Sequence, residues 1–494
     1  MLNKVKHKGI ALFVLAAAQF MVVLDATITN VALPAIRDAL GFASEADLQW
    51  VITAYALTFG GFLLLGGRLA DLYGRRQLFL AGIALFAIAS LLAGFAQDPT
   101  QMIVFRGLQG LGGALLSPAA LSLVLTIFSE TKERNRALGV WSMVAAGGGA
   151  VGLVLGGVLT QYVDWRWIFF INVPIAILVA VMTLRFVPGG KPEKTESVDI
   201  LGAATITGSL IAVVYALAKA AENGWSDSST IISFVVSAAL MTAFIINELR
   251  VKHPLINLAT FRKRNVTGGS LVMLLMPAAM FGFFFYMSIY LQQILGYSPT
   301  QTGIANLPFT ATIMVVAGVL SRYAAKVDPK AILVAGPLLA AAGLLYFARI
   351  PVEAQYFTDI LPGILLMASG MAVVFVTATI AATNGISHKE SGFVSGLLNT
   401  SQQIGGAIGL AVLTVISTAA TKSQLADLTS APSQNVVNEA LVHGFHQGFI
   451  AAAVFAVTAS AVALFVFNTH KPTASEQADE LENEAEALAA IPGI

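Results

Sequence analysis

Residues 10–34 read IALFVLAAAQFMVVLDATITNVALP, a run in which Asp25 is the one ionisable side chain. A bilayer core of about 30 Å is crossed by about 20 apolar residues in a helix, so this stretch reads as a membrane span that carries a carboxyl group. Lys4, Lys6 and Lys8 precede it and Ala16, Ala17 and Ala18 lie within it, an arrangement that resembles a signal peptide. The apolar run continues well past any cleavage point there, so the segment is expected to stay as the first span.

Working outward by the same criterion gives fourteen spans, at 10–34, 48–69, 78–97, 101–125, 138–161, 167–187, 200–221, 230–249, 267–294, 301–323, 331–350, 357–382, 393–418 and 446–468. The fold class is therefore an all-α polytopic membrane protein. Composition agrees, because 57% of the 494 residues are apolar, 11% are charged and the mean hydropathy is +0.79, whereas soluble chains carry roughly 25% charged residues. A net charge of +1 excludes the basic footprint of a nucleic-acid binder. With no cysteine and six scattered histidines there is no thiolate or HExxH metal site. No GxxxxGK[ST] loop is present to serve an ATP-driven pump. An enzyme is not expected.

Lys and Arg accumulate in cytoplasmic loops. Placing the N-terminus inside puts 22 of the 28 on the cytoplasmic side and five outside, with Arg106 inside a span. Both termini are then cytoplasmic, in the cell inner membrane.

The chain also repeats. The turn Gly67-Arg68-Leu69-Ala70-Asp71-Leu72-Tyr73-Gly74-Arg75-Arg76 after span 2 has a worn counterpart at Gly318 to Arg322, with Lys326 and Asp328, 251 residues on. Gly152 and Gly156 of span 5 are matched 253 residues on by Gly405 and Gly409 of span 13. Two nearly equal offsets imply a six-helix bundle over 10–187, two inserted helices over 200–249, a second six-helix bundle over 267–468, and an acidic cytoplasmic tail over 471–494. Internal repeats about a midplane site are how secondary transporters are built. The insert shows no conspicuous polar motif and is expected outside the bundles, and 421–445 reads as a long outer loop.

A charge in hydrocarbon costs about 2.5 to 3.5 kcal/mol even on lenient scales, so Asp25 and Arg106 stand out. Thr29 and Met21 share the Asp25 stripe at helical spacing, and Gln109, Gly110 and Gly113 share that of Arg106. Asp25 reads either as a carboxylate that gains and loses a proton or as half of a permanent structural ion pair. Gly148, Gly152 and Gly156, joined by Gly157, give span 5 a side-chain-free face for close packing or sliding. The Gly67 to Arg76 turn sets topology or acts as a conformational latch.

Together these residues resemble the major facilitator superfamily, in particular its fourteen-helix drug:proton antiporter branch, over residues 10 to 470. Leu24 to Pro34 resembles that branch's first-helix signature, which implies Asp25 as the coupling acid. Gly67 to Arg76 resembles the superfamily's most widespread motif, implying a relay between Asp71 and Arg75 flanked by Gly74 and Arg76. Arg106 to Gly113 resembles the helix-4 motif tied to proton transfer. Trp165 to Pro174 resembles the entry to helix 6, and Tyr290-Leu291-Gln292-Gln293 with Gly296, Ser298, Pro299, Gly303 and Pro308 resembles the junction of helices 9 and 10. The chain departs from the helix-5 antiporter pattern Gly-Pro-x-x-Gly-Gly at Leu153, which stands where that pattern has proline.

The resemblance implies proton-coupled efflux of hydrophobic, cationic drugs or toxic compounds by alternating access. No cofactor is implied beyond the proton motive force. Expected partners are small hydrophobic or cationic substrates, protons and membrane lipid, with no nucleic acid and no metal, and the chain is expected to be a monomer. The candidate substrate cavity combines Thr29, Tyr55, Gln109, Phe284, Tyr286, Tyr290, Gln293, Asn306, Asn399 and Gln402, a lining of rings and amides suited to flat amphipathic cations. Export of one dedicated metabolite, antibiotic, anion or lipid, or proton symport, is the alternative.

Overall fold

The computed structural model describes residues 8–128, 130–189, 199–252, 254–256, 258–323, 329–383, 388–426 and 433–467. Among these there are fourteen long helices: α1 (Lys8–Leu40), α2 (Trp50–Tyr73), α3 (Arg75–Gly94), α4 (Pro99–Ile127), α5 (Thr131–Tyr162), α6 (Trp167–Phe186), α7 (Ile200–Asn223), α8 (Ser228–Arg250), α9 (Arg264–Ile294), α10 (Pro299–Tyr323), α11 (Pro329–Phe347), α12 (Tyr356–Ala382), α13 (His388–Leu425) and α14 (Gln434–Val466). Helices α9 and α12 each carry one π turn, at Tyr290–Ile294 and Tyr356–Ile360. The acidic tail and the side chain of Asp71 lie outside the described residues.

Local chemistry sets the helix ends. Gly41, at φ +73°, closes α1, with its N–H and that of Phe42 both returning to the Arg37 carbonyl. Asp98 caps α4 ahead of Pro99, its carboxylate accepting the Gln101 N–H at 2.9 Å. Gly74, at φ +96°, makes the sharp turn between α2 and α3. Two expected boundaries move. α1 runs through Pro34 to Leu40 instead of ending at the proline, and the 421–445 segment is mostly helix, since α13 reaches Leu425 and α14 starts at Gln434.

The packing repeats between the halves. α1 lies on α5 and α6 as α9 lies on α13 and α14, and α3 on α4 and α6 as α11 on α12 and α14. Across the halves, α5 meets α10 and α2 meets α13, the same pair of positions exchanged. The matched glycines explain the tight fit. A side chain at Gly152 would strike Thr27 and the Leu24 carbonyl of α1, and one at Gly405 would strike the Leu274 backbone of α9.

The inserted pair is better integrated than its sequence suggests. α7 packs on both α2 and α13, so it touches both halves, and α8 lies outside on α7. Far from lacking polar features, the pair is joined by reciprocal bonds between Ser209 and Ser237, each hydroxyl donating to the other's carbonyl at 2.8 and 2.9 Å.

At the face opposite the N-terminus the halves are drawn together. Gly157 of α5 abuts the Pro299 carbonyl and Thr300 of α10, while Gly303 of α10 abuts the Leu153 carbonyl of α5. α9 adds two bonds to the α1 backbone, Ser288 Oγ to the Asn30 carbonyl at 2.7 Å and Gln292 Nε2 to the Val31 carbonyl at 2.9 Å. The Asn30 carbonyl is free for this because its helical partner, four residues on, is Pro34, which has no N–H.

Candidate functional site

Asp25 sits near the middle of α1 and is fully buried, as is Arg106 of α4. Two unpaired charges there would be costly, and the structure pairs them directly: Arg106 Nη1 donates to Asp25 Oδ2 at 2.6 Å. The guanidinium is held further by Gln109 Oε1 at 2.7 Å and, through Nε, by the Val51 carbonyl of α2 at 2.9 Å. It also lies over the Tyr55 ring, 4.5 Å from the centroid, a cation–π contact strengthened by burial.

The second carboxylate oxygen receives two amides. Gln109 Nε2 reaches Oδ1 at 2.7 Å and Asn172 Nδ2, from α6, reaches it at 3.0 Å. Both amides also meet Ser90 Oγ of α3, at 3.2 and 3.1 Å, and that hydroxyl donates to the Phe169 carbonyl at 2.9 Å. Asp25 is thus held by three donors on a network drawn from α1, α2, α3, α4 and α6, all within the N-terminal half. Each of these donors points at an oxygen of the carboxylate. A carboxylate offers about four acceptor positions, and Oδ1 takes two donors while Oδ2 takes one.

The structure brings Asp25 and Arg106 together, and with them Gln109 and Tyr55, which the sequence reading places among the substrate-cavity candidates. Thr29 is buried, but its hydroxyl donates to the Asp25 backbone carbonyl at 2.8 Å and not to the carboxylate. Ser90 and Asn172 are members of the network that the sequence reading does not name. Asn172 carries a signal as a polar residue of an apolar helix, within the quoted 165–174 stretch, whereas Ser90 offers nothing beyond being a lone hydroxyl in α3.

The remaining cavity candidates divide. Tyr286 and Tyr290 are both wholly inaccessible inside the C-terminal half. Tyr286 packs between Phe445 and Phe449, with ring centroids 5.3 and 5.8 Å away, and Tyr290 donates its hydroxyl to the Pro351 carbonyl at 2.6 Å. Phe284 stacks edge-on against Phe309 at 4.8 Å. On an all-apolar helix no polar stripe marks which side faces inward. Asn306 is buried with Oδ1 lacking a partner among the described residues, as does Nε2 of the half-buried Gln293, while Asn399 and Gln402 lie half-buried on α13. None of these four joins the Asp25 network.

In the Gly67 to Arg76 turn, Arg75 donates to the Thr126 hydroxyl of α4 and Arg76 to the Leu184 carbonyl of α6 at 2.6 Å. Arg68 donates to the Pro254 carbonyl at 2.9 Å. The turn thus ties α2 and α3 to α4, α6 and the segment after α8. The Gly67 face is open, with Pro118 3.9 Å from where a side chain would begin. Gly148, Gly152 and Gly156 all face α1, on the side of Phe20, Leu24, Thr27 and Ile28, and Leu153 is buried at the seam with α10.

Removing one donor tests how far the network supports the fold. Asn172→Ala is expected to cost about 1.5 to 3 kcal/mol, the usual worth of a hydrogen bond to a charged group, seen as a lower unfolding midpoint in detergent. An unchanged midpoint would mean that Asn172 contributes nothing to the pair's stability.

The family model described as Major Facilitator Superfamily matches residues 15–410. The puromycin resistance protein pur8 of Streptomyces alboniger is 40% identical over 471 residues, covering 94% of this chain and 92% of that one. The cephamycin export protein CmcT of Amycolatopsis lactamdurans is 36% identical, covering 87% and 89%. Among solved structures, a bacterial homologue of the human lysosomal transporter Spinster, inward-facing and unoccupied, superposes with a TM-score of 0.67 at 17% identity, covering 93% of this chain and 97% of that one. The two repeated bundles and these matches agree, and the chain belongs to the Major Facilitator Superfamily, as a multi-pass membrane transporter and not an enzyme.

Proposed function

We propose that this transporter exports an antibiotic or similar hydrophobic, cationic compound across the cytoplasmic membrane in exchange for protons, with Asp25 as the proton carrier. The carrying observation is the wholly buried Asp25–Arg106 pair. An intramembrane ion pair is a default mark of a proton or ion pathway, and this one is bound into a network drawn from four other helices. The named activities of the relatives, puromycin resistance and cephamycin export, support small organic compounds as cargo. Because each of those names cites a single compound, a dedicated exporter is the favoured second reading.

The basic N-terminal face lies in the cytoplasm on this reading, so the seam between α5 and α10 lies at the outer face. The family's usual energy source, the proton gradient, needs no cofactor, and a monomer contains the whole network. Asp25 is the one acid of the pair network, so it serves both proton and a singly charged substrate by competition.

The test uses everted vesicles with an internal-acid dye and a panel of lipophilic cations and antibiotics. Substrate-driven dequenching is expected in the wild type and absent in Asp25→Asn at matched expression. Dequenching that survives the substitution would place the proton path elsewhere. No response to any compound from a folded wild type would favour a dedicated or non-antiport transporter.

A further inference from the structure

A second buried acid cluster lies at the N-terminal face, where α7 begins and α8 ends. Asp199 caps α7, its Oδ1 accepting the Gly202 N–H at 2.7 Å, and its Oδ2 accepts Asn247 Nδ2 at 2.5 Å. Glu248, the next residue on α8, gives Oε2 to the Ile256 N–H at 3.0 Å. Both side chains are more than nine-tenths buried. The remaining oxygen, Glu248 Oε1, has no donor among the described residues. Instead it converges with Asp199 Oδ2 over Gly202, where even a single added carbon would crowd both oxygens.

Two buried carboxylate oxygens facing each other repel strongly, and one shared proton turns the repulsion into a short hydrogen bond. That is the opposite of Asp25, which is met by Arg106. Among the described residues an apolar cluster adjoins the pair. From α2 the neighbours are Leu65, Phe62 and Leu69, with Ala203 from α7 and Leu255 and Ile256 from the following segment. The charged group on this stretch of α2, Arg68, donates to the Pro254 carbonyl, and the charge acting on Glu248 is Asp199.

We propose that Asp199 and Glu248 form a proton-binding pair, which, while occupied, fastens the inserted helices to the Arg68 turn of the N-terminal half. The link is continuous. Glu248 holds the Ile256 N–H, and two residues back the Pro254 carbonyl holds Arg68, within the same turn whose Arg75 and Arg76 reach α4 and α6. Loss of the proton leaves two buried negative charges, and the cheapest relief is to move Glu248 toward water, which withdraws the segment from Arg68. The pair senses pH on the face proposed to be cytoplasmic, and its existence does not depend on the transport reading.

A group that must hold a proton in the folded state stabilises it at low pH and loses that contribution as pH rises. The purified full chain in detergent is therefore expected to lose unfolding midpoint as pH rises above the ordinary carboxylate range, about pH 4. Glu248→Gln, whose amide supplies the missing donor, is expected to flatten that slope, and Asp199→Asn to do the same should the first variant fold poorly. Equal slopes in the wild type and in a folded variant would overturn the proposal. So would restoration of the wild-type midpoint at alkaline pH by added Mg²⁺ or Ca²⁺, which would make the pair a metal site and not a proton site. Limited proteolysis between residues 251 and 263 supplies a second readout, faster at alkaline pH in the wild type and pH-independent in Glu248→Gln.

Discussion

Arg106→Met is expected to lower the unfolding midpoint more than any other single substitution in the N-terminal half and to abolish proton exchange. Methionine replaces much of the volume, so the effect isolates the charge. It strands the Asp25 carboxylate with two amides and no cation, and breaking a buried pair by removing one member costs about 3 to 5 kcal/mol. The Val51 carbonyl and Gln109 Oε1 lose their donor in the same step. The informative comparison is the double variant Asp25→Asn with Arg106→Met. A neutral asparagine keeps an oxygen for Gln109 and Asn172 without a stranded charge, so most of the lost stability should return while exchange stays absent. Stability and exchange recovering together would mean that the pair is only structural. A double variant as unstable as the single would show that Arg106 supports the fold through Val51 and Tyr55 and not through Asp25.

Much of this architecture is legible in the sequence because a bilayer simplifies the problem. Each span must satisfy its own backbone, so length and hydropathy alone locate fourteen helices, and the rarity of charge inside them draws attention to Asp25 and Arg106. What stays hidden follows from the same simplicity. Tyr286 and Tyr290 sit on a helix apolar on every side, where no periodicity distinguishes a core-facing ring from a cavity-facing one. Ser90 and Asn172 complete the Asp25 network through bonds that span 79, 82 and 147 residues of sequence, separations that no local pattern encodes. Pro34 misleads in an instructive way. Instead of ending α1 it continues the helix and bares the Asn30 carbonyl, and that carbonyl is what Ser288 of the other half takes up. The insert is underestimated for a related reason: Asp199 and Glu248 fall at helix ends, where acids look like ordinary surface residues until packing buries them.

The glycine seam between α5 and α10 carries the other large expected effect. Gly303→Val would drive a side chain into the Leu153 carbonyl, with the Leu153 carbonyl carbon 2.9 Å and Val154 Cα 3.4 Å from the first added atom. These are backbone atoms, so no rotamer change relieves the clash, and Gly157 brings the Pro299 backbone comparably close from the other side. The two helices must separate at the face opposite the N-terminus. Alternating access needs that face to close in each cycle, so the variant is expected to fold, to retain the Asp25 network and to lose roughly tenfold or more in exchange rate, the equivalent of about 1.4 kcal/mol in the closing step. The chain has no cysteine, so the gap can be read directly with thiols introduced at Gln161 and Thr300, whose side chain and backbone meet at 3.3 Å. That pair should cross-link readily in the otherwise native chain and fail to do so in the Gly303→Val background. Gly139→Val is the matched control, since nothing lies within 4 Å of its position, and it should leave both cross-linking and exchange intact. Efficient cross-linking in Gly303→Val with normal exchange would show that the seam yields cheaply, and closure would then rest on the bonds that Ser288 and Gln292 make to the α1 carbonyls.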